Sequence, residues 1–427
     1  MISIASSPES APTKAPSLTG ERRNYWRAVL LVFSGMAAAQ IIPILGSLVI
    51  ARLFIPAEFG MFMTWFGLVQ IGAVLSTGRF EAALPLEDNG APRAQAASAA
   101  LVTAAAILTV VAIIGACFWP IYAPYLKHVP TPLIALFVPT VAAAASVLIL
   151  QSWAASEGQF RALSIMRITQ AAIITGLQVA VGFVQPSAGS LALAHMTGVI
   201  SGALLMAWKL QPPRLAQGRK TLLNFWNRYR RFPIYALPAG TVNTAAAQLP
   251  LILISHRFGA EIAGYVAMAF RMLGAPISLL GSAVLDVFKR RASESWRATG
   301  SCRGPYLETL TVLAVGSVAA TIGFWLVGVE LFIFAFGPEW AESGRVAIIL
   351  LPLFAMRFVS SPLSYTFFIA EKQPIDLVWQ VCLFVMTVVT LTTFATYQST
   401  LTAYALGYGL MYVVYLCLSF RFSGGRS

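Results

Sequence analysis

Residues 28–51 read AVLLVFSGMAAAQIIPILGSLVIA, 24 consecutive positions without a charge. At about 1.5 Å per residue, a helix of this length crosses roughly 30 Å of hydrocarbon. The apolar core of a secretory signal is only about 7 to 15 residues long and is followed by a small-residue cleavage site. Neither description fits, so the run reads as a retained span. Arg22-Arg23 superficially resembles a twin-arginine export signal, and the length of the run argues against that. Arg22, Arg23 and Arg27 instead hold the N-terminal end of the span inside.

Working outward, residues 1–24 are rich in Ser, Pro, Ala and Thr without apolar periodicity and read as a disordered cytoplasmic tail. Further apolar runs occur at 61–78, 95–118, 133–155, 168–185 and 189–208. After a basic linker, six more follow at 233–255, 262–285, 309–328, 345–368, 375–393 and 399–420. The stretch 168–208 has no charge and is too long for one span, so it is divided at Gln185-Pro186-Ser187-Ala188-Gly189. The expected fold is an all-α integral membrane protein of about 12 transmembrane helices. Its parts are a six-helix lobe (25–208), a cytoplasmic linker (209–232), a second six-helix lobe (233–421) and a short tail (422–427).

Composition agrees with this reading. Of 427 residues, 58% are apolar and 11% charged, with a mean hydropathy of +0.75. A soluble globule of this size draws about a quarter of its residues from charged types to cover its surface. The net charge of +13 would in a soluble chain suggest nucleic acid, yet here the basic residues lie between apolar runs. The tail, the even-numbered loops and the C-terminal end hold 23 of the 29 Lys and Arg, and the odd loops hold Arg52, Lys127, Arg257 and Arg345. The positive-inside rule therefore puts both termini in the cytoplasm and removes a nucleic-acid footprint from consideration. The linker alone carries seven basic residues from Lys209 to Arg231 and no acid, which suits a topology anchor or attraction of anionic headgroups.

No metal or cofactor is expected. Cys117, Cys302, Cys382 and Cys417 lack CxxC spacing, and His128, His195 and His256 share no helix turn. The chain has no GxxxxGK[ST], HExxH or GxSxG, so an enzyme, and direct ATP hydrolysis in particular, is not expected.

The two halves repeat. ARLFIPAEFGMF (51–62) and HRFGAEIAGYVA (256–267) each place an Arg (Arg52, Arg257) before an acid (Glu58, Glu261) and a Gly (Gly60, Gly264). The motif reads as a short external turn, with Arg at headgroup level and Gly permitting tight re-entry. With TGRFEAALPL (77–86), FGAEIAGYVAMAFRMLGAPISLL (258–280) and FGPEW (336–340), these patches resemble the polysaccharide-transporter branch of the multidrug/oligosaccharidyl-lipid/polysaccharide exporter superfamily, which includes Wzx-type flippases. That resemblance implies two lobes around a central cavity and movement of a lipid-linked oligosaccharide across a bacterial inner membrane by alternating access. It also implies work alongside a polysaccharide polymerase and a chain-length regulator, for surface or exo-polysaccharide. Drug exporters of the superfamily use an intramembrane carboxylate, whereas all 16 acidic residues here fall in expected loops, the tail or span edges. Lipid II flippases carry two further helices, which these twelve runs do not supply.

Arg271 and Arg357 lie inside expected spans. An Arg at that depth costs roughly 2.5 to 3.5 kcal/mol on insertion scales. Two readings stand: snorkelling or a carbonyl partner, and binding of the carrier diphosphate through a guanidinium that engages two phosphate oxygens. Gln40, Asn243 and Gln248 are candidates for sugar hydroxyls, or for interhelical hydrogen bonds. Arg79 and Glu81, with Arg52 and Arg257, are candidate gate residues, a surface ion pair being the plainer reading of the first two. Pro43, Pro233, Pro238 and Pro250 mark repeat-related helices that can bend. The rival functions are a multidrug or small-molecule exporter of the same fold and a membrane polymerase or ligase. The last predicts a long external loop, for which 329–344, with Glu330, Glu339 and Glu342 and Arg345 beside it, is the largest candidate.

Overall fold

The computed structural model describes residues 39–88, 90–123, 129–210 and 219–425. The tail, Arg22, Arg23, Arg27, Lys127, His128, Arg214 and the start of the first expected span lie outside the described residues. Those described form helices and turns without a strand. Along the chain they are α1 (Ala39–Leu53), α2 (Pro56–Thr77), α3 (Ala91–Cys117), α4 (Thr131–Ser156), α5 (Phe160–Val184), α6 (Ala188–Leu210), α7 (Arg219–Tyr229), α8 (Leu237–Phe258), α9 (Ala260–Thr299), α10 (Arg303–Phe336), α11 (Ala341–Leu363), α12 (Gln373–Thr393) and α13 (Tyr397–Ser423). Eleven are long and apolar enough to cross a membrane, and α1 is a shorter apolar helix as described. Proline stands in the first two positions of α2, α3, α4 and α12, where its missing N–H leaves no intrahelical bond unmade.

The turn expected at 185–189 separates α5 from α6. Elsewhere helices overrun the apolar runs. α9 has 40 residues and α10 has 34, because the charges at Asp286 and Glu308 mark where a helix leaves hydrocarbon, not where it ends. Arg290–Glu294 at 3.0 Å and Arg291–Glu308 at 2.8 Å decorate the protruding stretch. The external segment expected at 329–344 is corrected in the same way. Glu330 is inside α10, and only Gly337 and the turn Pro338–Trp340 separate α10 from α11, because a helix satisfies the backbone of this apolar sequence.

The basic linker contains α7. Phe225 and Tyr229 enter a core with Phe80, Leu84, Ala97 and Trp153, and Trp226 Nε1 donates to Thr103 Oγ1 at 2.8 Å. Glu87 accepts from Tyr229 Oη at 2.6 Å and pairs with Arg228 at 3.3 Å. Burial, then the bond to Glu87, pushes the Tyr229 phenol from 10.0 up to about 12. A raised pKa means that the docked helix holds the proton more tightly. Its contribution is therefore complete below pH 10 and is lost as pH rises through 12. Limited proteolysis of the linker is expected to accelerate across that window in the wild type, with no such step in Tyr229→Phe.

The two ends of the molecule differ. At the end bearing Leu53–Pro56, Gly259 and Gly337, here the hairpin side, one core runs through both halves: Phe54, Phe59 and Trp65 from the first, Ile254, Val266, Trp340 and Leu350 from the second. At the linker side each half has its own core, one around Leu84 and Trp153, the other around Phe288, Cys302 and Tyr306. The halves share one core at the hairpin side and keep separate cores at the linker side.

Candidate functional site

A cavity of about 870 Å³ lies between the halves, from mid-helix toward the linker side. α1, α2, α4, α5 and α6 line it from one half, α8 and α9 from the other. Its walls carry Arg271 and Arg167, six glutamines (Gln40, Gln70, Gln151, Gln170, Gln178, Gln248), and no Asp or Glu among the described lining residues. Phe62, Phe66 and His195 form an aromatic wall, with Phe66 and His195 rings at 5.0 Å and 81°.

Arg271 Nη2 donates to the Pro43 carbonyl at 2.5 Å, from α9 to α1. A guanidinium has five N–H donors, so donors remain for a ligand. Ser278 Oγ donates to Gln40 Oε1 at 2.8 Å across the same seam. Arg167 reaches Gln151 Oε1 at 3.3 Å. The expected residues Arg271, Gln40 and Gln248 thus meet in one cavity. Arg357 and Asn243 are not among its lining residues.

The candidate gate residues divide between the ends. Arg79 has φ 60° and pairs with Glu81 at 3.3 Å at the linker side. It presses on α8 so closely that a Cβ on Gly240 would come within 2.9 Å of its Nε. Arg79 Nε, Glu81 Oε2 and Thr241 Oγ1 are buried there without hydrogen-bond partners, at a cost of about 1–3 kcal/mol each, so this contact is held weakly. At the hairpin side Arg52 Nη2 donates to Phe334 O at 2.8 Å, joining the halves, and Trp340 Nε1 donates to Ala51 O at 2.6 Å. Arg257 donates within its own half, to Leu391 O and to Phe394 O.

The repeated glycines do not serve as re-entry turns, because α2 and α9 begin earlier, at Pro56 and Ala260. They face each other where these helices cross. A Cβ on Gly60 would lie 1.8 Å from Ala260 O, and one on Gly264 would lie 1.9 Å from Pro56 O. Only hydrogen fits at either position.

A family model described as polysaccharide biosynthesis protein matches residues 49–345. The chain belongs to that family. No curated protein matches the sequence. The fold is similar to that of the lipid II flippase MurJ in an inward closed conformation, with a TM-score of 0.70 and 13% identity over 92% of this chain and 87% of that one. It is also similar to an inward-facing multidrug resistance MATE family transporter of the MOP superfamily (TM-score 0.59, 10% identity, 92% and 94% covered). A mutant of the Vibrio cholerae MATE transporter VcmN is a further match (0.56, 11%, 94% and 97%). These likenesses establish a two-lobed transporter fold.

Sequence reasoning missed Arg167, Gln70, Gln151, Gln170, Gln178 and His195. Arg167 is seven residues inside α5, yet it bounds the uncharged run and so reads as loop. The signal is periodicity: Arg167, Gln170, Ile174 and Gln178 recur at helical spacing and share the cavity face.

Proposed function

We propose that this membrane transporter moves a lipid-linked oligosaccharide anchored through a diphosphate across a bacterial inner membrane, for surface or exo-polysaccharide assembly. One observation carries the reading: the cavity between the lobes has two arginines, six glutamines and no acid among its described lining residues. Guanidinium groups bind phosphate oxygens two at a time, and amides both donate to and accept from sugar hydroxyls. A cationic drug would find no counter-charge on those walls.

The linker side is the cytoplasmic side in this reading, because the basic residues cluster there, and both termini share it. The cavity then loads from the cytoplasm when the weakly held Arg79 contact parts, while the hairpin side is shut. Arg271 and Arg167 hold the diphosphate and the glutamines hold the sugars. Release follows when the hairpin-side contacts of Arg52 and Trp340 part while the Arg79 contact with α8 is shut. A polymerase and a chain-length regulator would take up the product. The protein itself makes and breaks no covalent bond.

The test is transfer of a short polyprenyl-diphosphate oligosaccharide between leaflets of liposomes holding the purified protein. Arg271→Gln is expected to slow transfer by about tenfold or more, the loss of charge-assisted hydrogen bonds to phosphate. Absence of transfer by folded wild type, with and without an imposed ion gradient, would overturn the reading.

A further inference from the structure

Arg357 sits in α11, within a turn of the middle of the continuous stretch Pro338–Ile369. It is exposed, and no hydrogen bond or ion pair is made to it among the described residues. A charge at this depth needs a wet surface or a partner. Phe354, one turn earlier on the same face, meets Phe270 edge-on at 5.6 Å, and Phe270 lines the central cavity. Arg357 thus lies one turn from a side chain that packs on the cavity wall.

α13 packs on both α11 and α12 and carries a row of tyrosines, of which Tyr415 donates to Asp376 Oδ1 of α12 at 2.7 Å. Tyr404, Tyr408, Tyr412 and Tyr415 follow at spacings of four, four and three, with ring centroids at 5.3, 5.4 and 6.5 Å. Trp379 of α12 closes the row, 5.3 Å from Tyr412 and 4.3 Å from Tyr415. Arg357 lies within electrostatic reach of Tyr404, Tyr408 and Tyr412. Tyr408 and Tyr412 are half-buried, so parts of their rings remain open to a ligand.

Aromatic faces bearing hydroxyls suit the C–H face and the hydroxyls of a sugar ring. An uncompensated guanidinium suits a planar carboxylate, which it engages with two parallel hydrogen bonds. We propose that the Arg357–tyrosine face is a second subsite, and that it binds a carboxylated sugar of the uronic-acid type within the glycan. This rests on the reading of the protein as an oligosaccharide transporter and names the chemical class of the cargo. The carrier diphosphate stays with Arg271 and Arg167, and the acidic sugar lies in the other lobe.

The experiment is calorimetric binding to the full chain in nanodiscs. The probes are a free oligosaccharide containing one glucuronate and its counterpart with that carboxyl reduced to the alcohol. Wild type is expected to bind the acidic form about tenfold more tightly. Arg357→Gln removes the difference while leaving the neutral form unchanged, Arg357→Lys keeps part of it, and Tyr408→Leu weakens both forms. Equal affinity for the two forms in wild type, or a preference that survives Arg357→Gln, overturns the proposal. Should Arg357→Gln fail to fold, Arg357→Lys decides: an undiminished preference overturns the assignment to a bidentate guanidinium. Preference for the acidic form without leaflet transfer of the carrier-linked substrate would overturn the flippase reading and leave the subsite standing.

Discussion

Replacing Gly264 with alanine is expected to destabilise the protein by about 1–3 kcal/mol, the range for forcing an extra group into packed structure, read as a fall in melting temperature. The added Cβ would meet the backbone oxygen of Pro56 at 1.9 Å, and backbone cannot swing aside as a side chain can. α2 and α9 must therefore separate. Gly60→Ala is expected to act in the same way from the other helix, against Ala260 O at 1.8 Å. Because a single separation relieves both clashes, the double variant should cost clearly less than the two singles added. Full additivity would mean that the glycines do not share one contact. Gly316→Ala is the control: a Cβ there meets nothing within 4 Å, and stability should stay within about 0.5 kcal/mol of wild type.

Arg93→Ala is expected to cost about 3–5 kcal/mol, the usual loss when one partner of a buried charge pair is removed. Arg93 is 6% exposed and bonds along three edges. Nε donates to Leu84 O at 3.2 Å, Nη2 to Glu87 O at 2.7 Å, and Nη1 to Ser156 O at 2.7 Å and Glu157 Oε1 at 3.0 Å. One side chain thus ties the turn after α2 to the end of α4. Arg93→Lys, with a single ammonium, can restore only part of this set. Thermal unfolding should rank wild type above Lys and Lys above Ala. Because Glu87 also holds α7, the linker should become more protease-sensitive in step; unchanged proteolysis with a large drop in melting temperature would show that the two are not coupled.

The membrane class, the twelve apolar segments and the turn at 185–189 are legible because charge exclusion from hydrocarbon is a strong local signal. Arg271 and Gln40 are legible for the same reason, as polar residues standing inside uncharged runs. Arg167 is hidden by that rule, since a charge near the end of a run defines the boundary and so is counted outside it. The glycines Gly60 and Gly264 are visible as a repeat, but which helices touch is a long-range fact absent from local sequence, so their role there is a close crossing and not the turn that the repeat suggests. Arg357 and Arg271 stand at similar depth in sequence terms and line different surfaces, because depth fixes a position along a helix and leaves its rotation open.

The length of α9 has a mechanical meaning. Pinned against α2 at Gly264, it runs a further 35 residues to Thr299, about 50 Å at 1.5 Å per residue. A tilt of about 10° around the pin would carry the far end by roughly 9 Å, while Arg271, seven residues from the pin, would move only about 2 Å. A lever of these proportions turns a small rotation at the fulcrum into a wide swing at the mouth. The group nearest the fulcrum stays almost stationary, so the anion can keep its hold while the doorway changes.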